Sequence, residues 1–375
     1  MHVAHLIDSL SWGGAEKIIA SFTEVARPRG LDVTVMSLQP FVENNPYRVQ
    51  MESLGANVKA FSITRLYDFA SIPALVQAFR DGQFDIVQTH LSHANILGTL
   101  AARLAGVPVV ATLHNTHLHT KGYYRARSWA EQNVLRYGAH RIMAVGNAVA
   151  EANRLRYEGR VIDIVPNCVK PGVALSVSER KALRIELAGD ANRTVIIAVG
   201  RLVPQKGYGD MLLAFSRIRS RYPDAFLVII GDGVLRSEVE EQALSLGITK
   251  DVRFLGLRDN VPQLLAAGDI FVNTSYWEGL SIAMLEAMAA GLPILATRVG
   301  EAPFMLANGR GLLVQPHDVD ALVDGLVAFL SSSTTRQSMG ASVRSFVELN
   351  YSLDPWLDKI LKVYALAQSG DRNEG

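Results

Sequence analysis

Two glutamates eight positions apart, Glu278 and Glu286, carry the clearest chemical signal in the chain. They stand in Asn273-Thr274-Ser275-Tyr276-Trp277-Glu278-Gly279-Leu280-Ser281, which runs into Ile282-Ala283-Met284-Leu285-Glu286-Ala287-Met288 and closes with Gly291-Leu292-Pro293. An apolar run ends, a glycine turn follows, and a helix is predicted to open near Ser281. Its first N–H groups and positive end then gather where a strand stops, which suits an anion such as phosphate. Carboxylates accept hydrogen bonds from hydroxyls, so Glu278 before the helix and Glu286 within it suit a phosphorylated polyol. The plainer alternative makes Glu278 a helix-start charge and Glu286 a solvated one. The apolar neighbours Met284, Leu285, Ala287 and Met288 count against it, because a charge among such residues is costly.

A second strand-to-loop-to-helix passage, Val199-Gly200-Arg201-Leu202-Val203-Pro204-Gln205-Lys206-Gly207, adds two cations. Arg201 can fork onto phosphate oxygens and Lys206 supplies a point charge, enough to neutralise a diphosphate without a metal. Solvated loop charges are the alternative. As a loop cation Lys206 is expected to stand exposed and to contribute little to stability. In Asp8-Ser9-Leu10-Ser11-Trp12-Gly13-Gly14-Ala15-Glu16 two glycines allow close backbone approach to a ligand, although the spacing of a full dinucleotide fingerprint is missing. Gly231-Asp232-Gly233 lacks the third glycine as well and reads as a tight turn. His114, His117 and His119 resemble a metal cluster but have no nearby carboxylate or cysteine partner. Asp318-Val319-Asp320 sits at a helix start, where capping is the expected task.

The elements that must position these residues are short β-branched runs at Val3–Ile7, Val33–Ser37, Ile86–Thr89, Val109–Leu113, Arg141–Val145, Val161–Val165, Val195–Val199, Phe226–Ile230, Arg253–Leu255, Ile270–Asn273, Ile294–Ala296 and Gly311–Val314. They are nearly continuous in apolar character, as strands buried on both faces of a parallel sheet are. Segments with three- and four-residue apolar spacing separate them, so the chain reads as repeated βαβ units of a doubly wound α/β fold. Two prolines, Asn167 and Gly172 break the series at 165–172, which predicts a linker. The expected domains are 1–168, 169–354 and a helix over 355–375 that crosses back to the first. Helices are expected over Val319–Leu330, Arg336–Leu349 and Asp354–Ala367, with Ser331–Thr335 an exposed loop.

Composition narrows the function. With 375 residues, 49% of them hydrophobic and 19% charged, the chain has material for two cores. Its 37 basic and 36 acidic residues give +1, no global field for gathering nucleic acid. The single cysteine, Cys168, forms no intramolecular disulfide and fits a reducing cytoplasm. Asp8 within the first apolar run argues against a signal peptide, and Glu286, Gly291 and Pro293 break the longest apolar stretch, which is therefore no membrane span. Residues 121–160 carry eight Lys and Arg against three Glu, a net of +5, interleaved with Tyr123, Tyr124, Trp129 and Tyr137. That composition suits an anionic membrane surface, and equally an ordinary solvated face.

In their order these segments resemble glycosyltransferase family 4, which has the GT-B fold. The resemblance runs from Gly13-Gly14-Ala15-Glu16 through Gly200-Arg201, Lys206-Gly207, Gly231-Asp232-Gly233, Phe254-Leu255-Gly256 and Glu278-Gly279 to Leu285-Glu286-Ala287-Met288-Ala289, Gly291 and Pro293. It implies two Rossmann-like domains facing each other across a cleft. It also implies retaining transfer from a nucleotide-diphosphate sugar, UDP favoured over GDP, with no divalent metal or other cofactor. Acceptors would be glycan, lipid-linked or small molecules, as in cell-surface polysaccharide or glycolipid synthesis. By resemblance Arg201 and Lys206 bind the diphosphate, Glu286 the ribose and Glu278 the transferred sugar. Gly279, Leu280 and Ser281 offer amides to the phosphates, Gly13 and Gly14 line the diphosphate from the first domain, and His114 stands near the reacting centre. The localisation implied is cytoplasmic, with a peripheral position on the inner membrane face. The hinge Pro166-Asn167-Cys168-Val169-Lys170 departs from the family's Pro-Asn-Gly-Val-Asp, Leu280 replaces an aromatic and Val234 a proline. A sugar-nucleotide 2-epimerase of related fold and a non-catalytic nucleotide-sugar-binding protein are the alternatives.

Overall fold

The structure is a computed structural model that describes residues 1–42, 45–63, 69–116 and 122–370. The chain forms two compact units, Met1–Cys168 joined by the stretch from Leu353 onward, and Val169–Ser352.

In the first unit the order is β1 (His2–Ile7), α1 (Gly14–Ala26), β2 (Asp32–Ser37), α2 (Pro46–Ser53), β3 (Asn57–Ala60), α3 (Ile72–Asp81), β4 (Ile86–His90), α4 (Ser92–Ala105), β5 (Val109–Leu113), α5 (Gly122–Gly138), β6 (Arg141–Ala144), α6 (Asn147–Asn153) and β7 (Ile162–Ile164). The strands pair in parallel in the order β3-β2-β1-β4-β5-β6-β7. Every residue of β4 and β5 is buried; in β5 the continuous apolar and β-branched character requires this of a strand covered on both faces, while β4 buries the polar Gln88 and His90 as well. β3 was not expected: its Asn57-Val58-Lys59-Ala60 is mostly exposed at the sheet edge and has no apolar run to announce it.

The second unit runs α7 (Val177–Ala188), β8 (Thr194–Val199), α8 (Tyr208–Ile218), β9 (Ala225–Ile230), α9 (Arg236–Ser245), β10 (Val252–Gly256), α10 (Val261–Ala267), β11 (Ile270–Asn273), α11 (Ile282–Ala289), β12 (Ile294–Thr297), α12 (Ala302–Met305), β13 (Leu312–Val314), α13 (Val319–Ser331) and α14 (Ser333–Asn350). Its parallel sheet has the order β10-β9-β8-β11-β12-β13. The exposed loop expected at Ser331–Thr335 is instead a one-residue break. Ser332 is extended and its hydroxyl accepts from Thr335 N–H at 3.1 Å, so the serine run starts a new helix.

The last helix, α15 (Leu353–Gln368), belongs to the first unit. Trp356, Leu357, Ile360, Val363, Tyr364 and Ala367 recur at helical spacing and are buried, each large one worth about 1.5–3 kcal/mol. The rings of Trp356 and Tyr364 lie 6.3 and 6.2 Å from that of Phe22 in α1. Tyr364 donates its hydroxyl proton to Gln88 in β4, and Arg29 pairs with Asp354 and Asp358 at 2.8 and 2.5 Å. These contacts hold the crossing helix that the sequence predicts.

Candidate active site

In the second unit β8 and β11 are neighbours, and the chain winds away from them in opposite directions, to β9 and β10 on one side and to β12 and β13 on the other. Loops leaving such a switch point diverge and open a crevice at the carboxyl ends of the strands. The loop after β8 carries Gly200, Arg201 and Lys206; the loop after β11 carries Ser275, Glu278 and Gly279.

Cross-loop hydrogen bonds make these segments one structure. Thr274 Oγ1 donates to the carbonyls of Lys206 and Gly207 at 2.9 and 3.0 Å. Gln205 Nε2 donates to Trp277 O at 2.7 Å, and Tyr276 N–H returns to Gln205 O at 2.7 Å. Gly207 has φ +61°, and a Cβ there would collide with the Thr274 carbonyl, so both conformation and space call for glycine. Within this clamp Lys206 Nζ donates to Glu278 Oε1, which also accepts Ser275 Oγ–H at 2.8 Å. Lys206 is not the exposed loop cation expected: its side chain is 16% exposed and that of Glu278 11%. Thr274 and Tyr276 fold the lysine's loop over the carboxylate. Arg201 stays exposed on the same loop.

Beyond the turn, Ser281 caps α11: its backbone is extended and its Oγ accepts from Met284 N–H at 3.3 Å. Gly279, Leu280 and Ser281 are buried beside the helix start, and Gly279 O accepts from Glu301 N–H at 2.9 Å. Glu286 lies in the second turn. Met284, Leu285, Ala287 and Met288 are buried, but Glu286 shares the half-exposed stripe of Ile282 and Ala283. The cost of a charge among its apolar sequence neighbours therefore does not apply, since helical spacing separates them. Tyr208 donates to Gly200 O at 2.9 Å, and burial, then the Glu278 charge, push its phenol up, so it stays protonated.

The first unit has its own switch point at β1 and β4. Asp8, just after β1, accepts from Ala94 N–H at 2.7 Å and lies 3.1 Å from His93 Nδ1, tying that loop to the start of α4. Glu16 is buried and accepts Ser11 Oγ–H at 2.8 Å. A Cβ on Gly13 would enter the space of the Glu16 carboxylate, so this glycine makes room for the loop's own brace. Gly14, the exposed first residue of α1, stands beside it.

His114 follows β5 and is half-buried, its Nε2 3.2 Å from His90 Nδ1; His90 Nε2 lies 3.0 Å from His5 Nδ1. Burial lowers His114 to about 4, with Asp8 opposing, and lowers His5 to about 3. Burial and the two flanking imidazoles bring His90 well below the ordinary value. All three are neutral at neutral pH.

His117, His119 and Lys121 lie outside the described residues. Among the described residues no group of three His, Cys, Asp or Glu side chains is arranged to hold a metal ion. Asp318 caps α13 by accepting from Ala321 N–H at 2.9 Å. The basic stretch is less superficial than its count suggests. Arg141 is 1% exposed and pairs with Asp163 through two bonds of 2.8 and 2.7 Å, Arg156 is held by Glu131, and Arg160 donates to the carbonyls that end α5. Arg125 and Arg154 stay exposed, with Trp129 and Tyr137 each 67% exposed.

The profile described as "Glycosyltransferase Family 4" matches residues 12–172, and "Glycosyl transferases group 1" matches 179–346. A Mycolicibacterium smegmatis GDP-mannose-dependent alpha-(1-6)-phosphatidylinositol monomannoside mannosyltransferase is 30% identical over 280 residues, 70% of this chain and 69% of that protein. The chain belongs to glycosyltransferase family 4. It is a glycosyltransferase that uses a nucleotide sugar. An Escherichia coli UDP-Gal:alpha-D-GlcNAc-diphosphoundecaprenol alpha-1,3-galactosyltransferase is 29% identical over 314 residues, 81% of each chain. Among solved structures, Anabaena HepE in complex with UDP-glucose superposes with a TM-score of 0.85 at 22% identity, covering 97% of this chain and 99% of that one. The family's GT-B fold is thus the fold of this chain's two Rossmann-like units.

Several residues that build these family segments escaped sequence reasoning. Ser275 and Thr274 are small polar residues in a loop, informative only once β8 and β11 are known to be neighbours. His5 and His90 had a signal: each is a titratable residue inside a short strand run that is buried from Val3 to Ile7 or from Ile86 to His90.

Proposed function

We propose that the protein moves a sugar from a UDP-sugar to a glycan, lipid-linked or small-molecule acceptor, with retention at the anomeric carbon and without a divalent metal. The observation that carries this reading is the cross-bonded pair of loops after β8 and β11, with Lys206 on Glu278 in front of the N-terminus of α11. Lys206 and Arg201 take the diphosphate, Glu278 the hydroxyls of the sugar, Glu286 the ribose, and the amides of Gly279, Leu280 and Ser281 the phosphate oxygens. In the first unit Gly13 and Gly14 approach the diphosphate and His114 the sugar. The bond from the sugar C1 to the diphosphate oxygen breaks, the acceptor oxygen bonds to C1, and the acceptor proton passes to the departing phosphate. Lys206 and Arg201 stabilise the charge that grows there, a task otherwise given to a metal ion.

UDP is favoured because HepE is seen with UDP-glucose and the E. coli relative is named for UDP-Gal, while the mannosyltransferase relative makes GDP the competing nucleotide. A cytoplasmic position at the inner membrane face is supported by Arg125, Trp129 and Tyr137 exposed on α5. The test incubates the protein with UDP-glucose, UDP-galactose and GDP-mannose, with and without a lipid-linked acceptor and with EDTA, and reads products by NMR. An α-linked product from an α-configured UDP-sugar, insensitive to EDTA, is expected. A β-linked product or an EDTA-sensitive rate contradicts retention or metal independence, and conversion of the sugar nucleotide without acceptor marks an epimerase.

A further inference from the structure

Three histidines, on β1, on β4 and just past the end of β5 in the first unit, form a single hydrogen-bonded file. In register His5 lies opposite Gln88, Ile7 opposite His90, and His90 opposite Thr112. Strand side chains alternate, so His5, Gln88, His90 and Thr112 share one face, and His114, two residues past Thr112, continues it. Phe22, Ile18, Trp356 and Ile360 from α1 and α15 line the same small pocket as the three imidazoles. His5 and His90 are each 1% exposed. His5 Nδ1 meets His90 Nε2 at 3.0 Å, and His90 Nδ1 meets His114 Nε2 at 3.2 Å.

A neutral imidazole has one donor and one acceptor nitrogen. The file therefore has two self-consistent settings, with every N–H directed toward His114 or every N–H directed toward His5. Its inner end decides between them. His5 Nε2 is buried without a hydrogen-bond partner among the described residues. The inward setting leaves an N–H there with no nitrogen or oxygen to receive it, only the edge-on Phe22 ring at 4.4 Å, whereas the outward setting leaves a lone pair, and orphaned buried N–H groups are the rarer of the two. The backbone points to the same place. Leu91, immediately after His90, has φ +71°, a conformation that costs a side-chain-bearing residue roughly 1–3 kcal/mol and persists only where its surroundings enforce it. Asp8 anchors the chain just beyond it by taking the Ala94 N–H at the start of α4.

We propose that His90 is a positioning residue for sugar transfer: held by His5, it donates Nδ1–H to His114 Nε2 and so fixes His114 as the neutral Nδ1–H tautomer, a hydrogen-bond donor of set orientation. His90 touches no substrate, and the proposal rests on the reading that His114 meets the transferred sugar.

The test uses the full chain labelled with 15N-histidine. Two-bond 1H–15N ring spectra report each tautomer, and His114→Ala assigns the His114 signals. In the wild type His114 is expected as Nδ1–H. His90→Phe keeps an aromatic ring but cuts the file, so His114 relaxes to a tautomer mixture and kcat falls at least about tenfold while the KM for the donor stays within about twofold. In His90→Gln the amide again accepts from His5 and donates to His114, so tautomer and kcat largely return. An Nε2–H tautomer at His114 in the wild type overturns the proposal directly, and that spectrum suffices if His90→Phe does not fold. So does an unchanged His114 spectrum or an unchanged kcat in folded His90→Phe. Full turnover by His114→Ala overturns it through the reading on which it rests, and is distinguished because the wild-type spectrum still shows Nδ1–H.

Discussion

Replacing Lys206 by Met keeps the aliphatic stem and removes the charge. The Glu278 carboxylate, in a side chain 11% exposed, then keeps the 2.8 Å bond from Ser275 but loses its cation. Removing one partner of a fully buried ion pair costs about 3–5 kcal/mol. Residual solvent and the carboxylate's remaining partners, the Ser275 hydroxyl among them, bring the expectation here to about 2–3 kcal/mol. For a unit of this size each kcal/mol moves Tm by about 2–4 °C, so the variant should melt roughly 4–12 °C lower. Glu278→Gln in the Lys206→Met background removes the charge that Lys206 had balanced. The double variant should therefore be more stable than the two single losses added together, by about 1–2 kcal/mol. Turnover should separate from stability: all three variants should lose roughly 100-fold or more in kcat if Lys206 meets the departing diphosphate. Calorimetry on the four proteins together with donor turnover checks this. A Tm within 1 °C of wild type for Lys206→Met, or strictly additive losses, refutes the pairing; a folded Lys206→Met with undiminished kcat refutes the catalytic assignment.

Glu286→Gln keeps shape and one acceptor oxygen on the half-exposed stripe of α11, so UDP affinity measured by calorimetry should weaken by roughly 1.5–3 kcal/mol with little change in Tm; a lower Tm at constant affinity makes Glu286 structural. Tyr364→Phe deprives Gln88 Oε1 of its donor under α15, with an expected loss of about 1–3 kcal/mol in urea unfolding and faster amide exchange along α15; unchanged exchange contradicts the docking role. His5 faces His90, His90 faces His5 and His114, and the Asp8 charge acts on His114. With His5 and His114 lowered to about 3 and about 4 from 6.5, the unfolded chain binds more protons below pH 6.5. Stability should be full above pH 7 and fall on going to pH 5, by up to about 1.4 kcal/mol per pH unit for each histidine, and urea midpoints that stay flat over that range contradict it.

The sequence makes the strands legible because burial on both faces leaves continuous β-branched runs, as in Val109–Leu113, and because alternating helices allow little besides parallel sheets. Ser281 is readable as a cap, since serine before an apolar helix has a local signature. What stays hidden depends on strand order. Lys206 and Glu278 are 72 positions apart, and nothing near either one says that β8 and β11 are neighbours, so each reads as a loop charge and their mutual burial goes unseen. The same holds for Arg141, Arg156 and Arg160, which count as surface charge in a sum but find Asp163, Glu131 and helix-ending carbonyls once folded. Edge strand β3 lacks an apolar run for the opposite reason: half of the sheet environment that would demand one is missing there.

The most direct test of the central claim, a nucleotide-diphosphate site at the β8 and β11 edge, is the unfolding temperature of wild type and Glu286→Gln with UDP, GDP, ADP and their sugars. A ligand at 100 times its dissociation constant contributes about 2.7 kcal/mol, or roughly 5–11 °C for a unit of this size. The account predicts such a rise for UDP and a UDP-sugar on the wild type and a much smaller one on Glu286→Gln at the same concentration. No shift with any nucleotide, or equal shifts in both proteins, contradicts it.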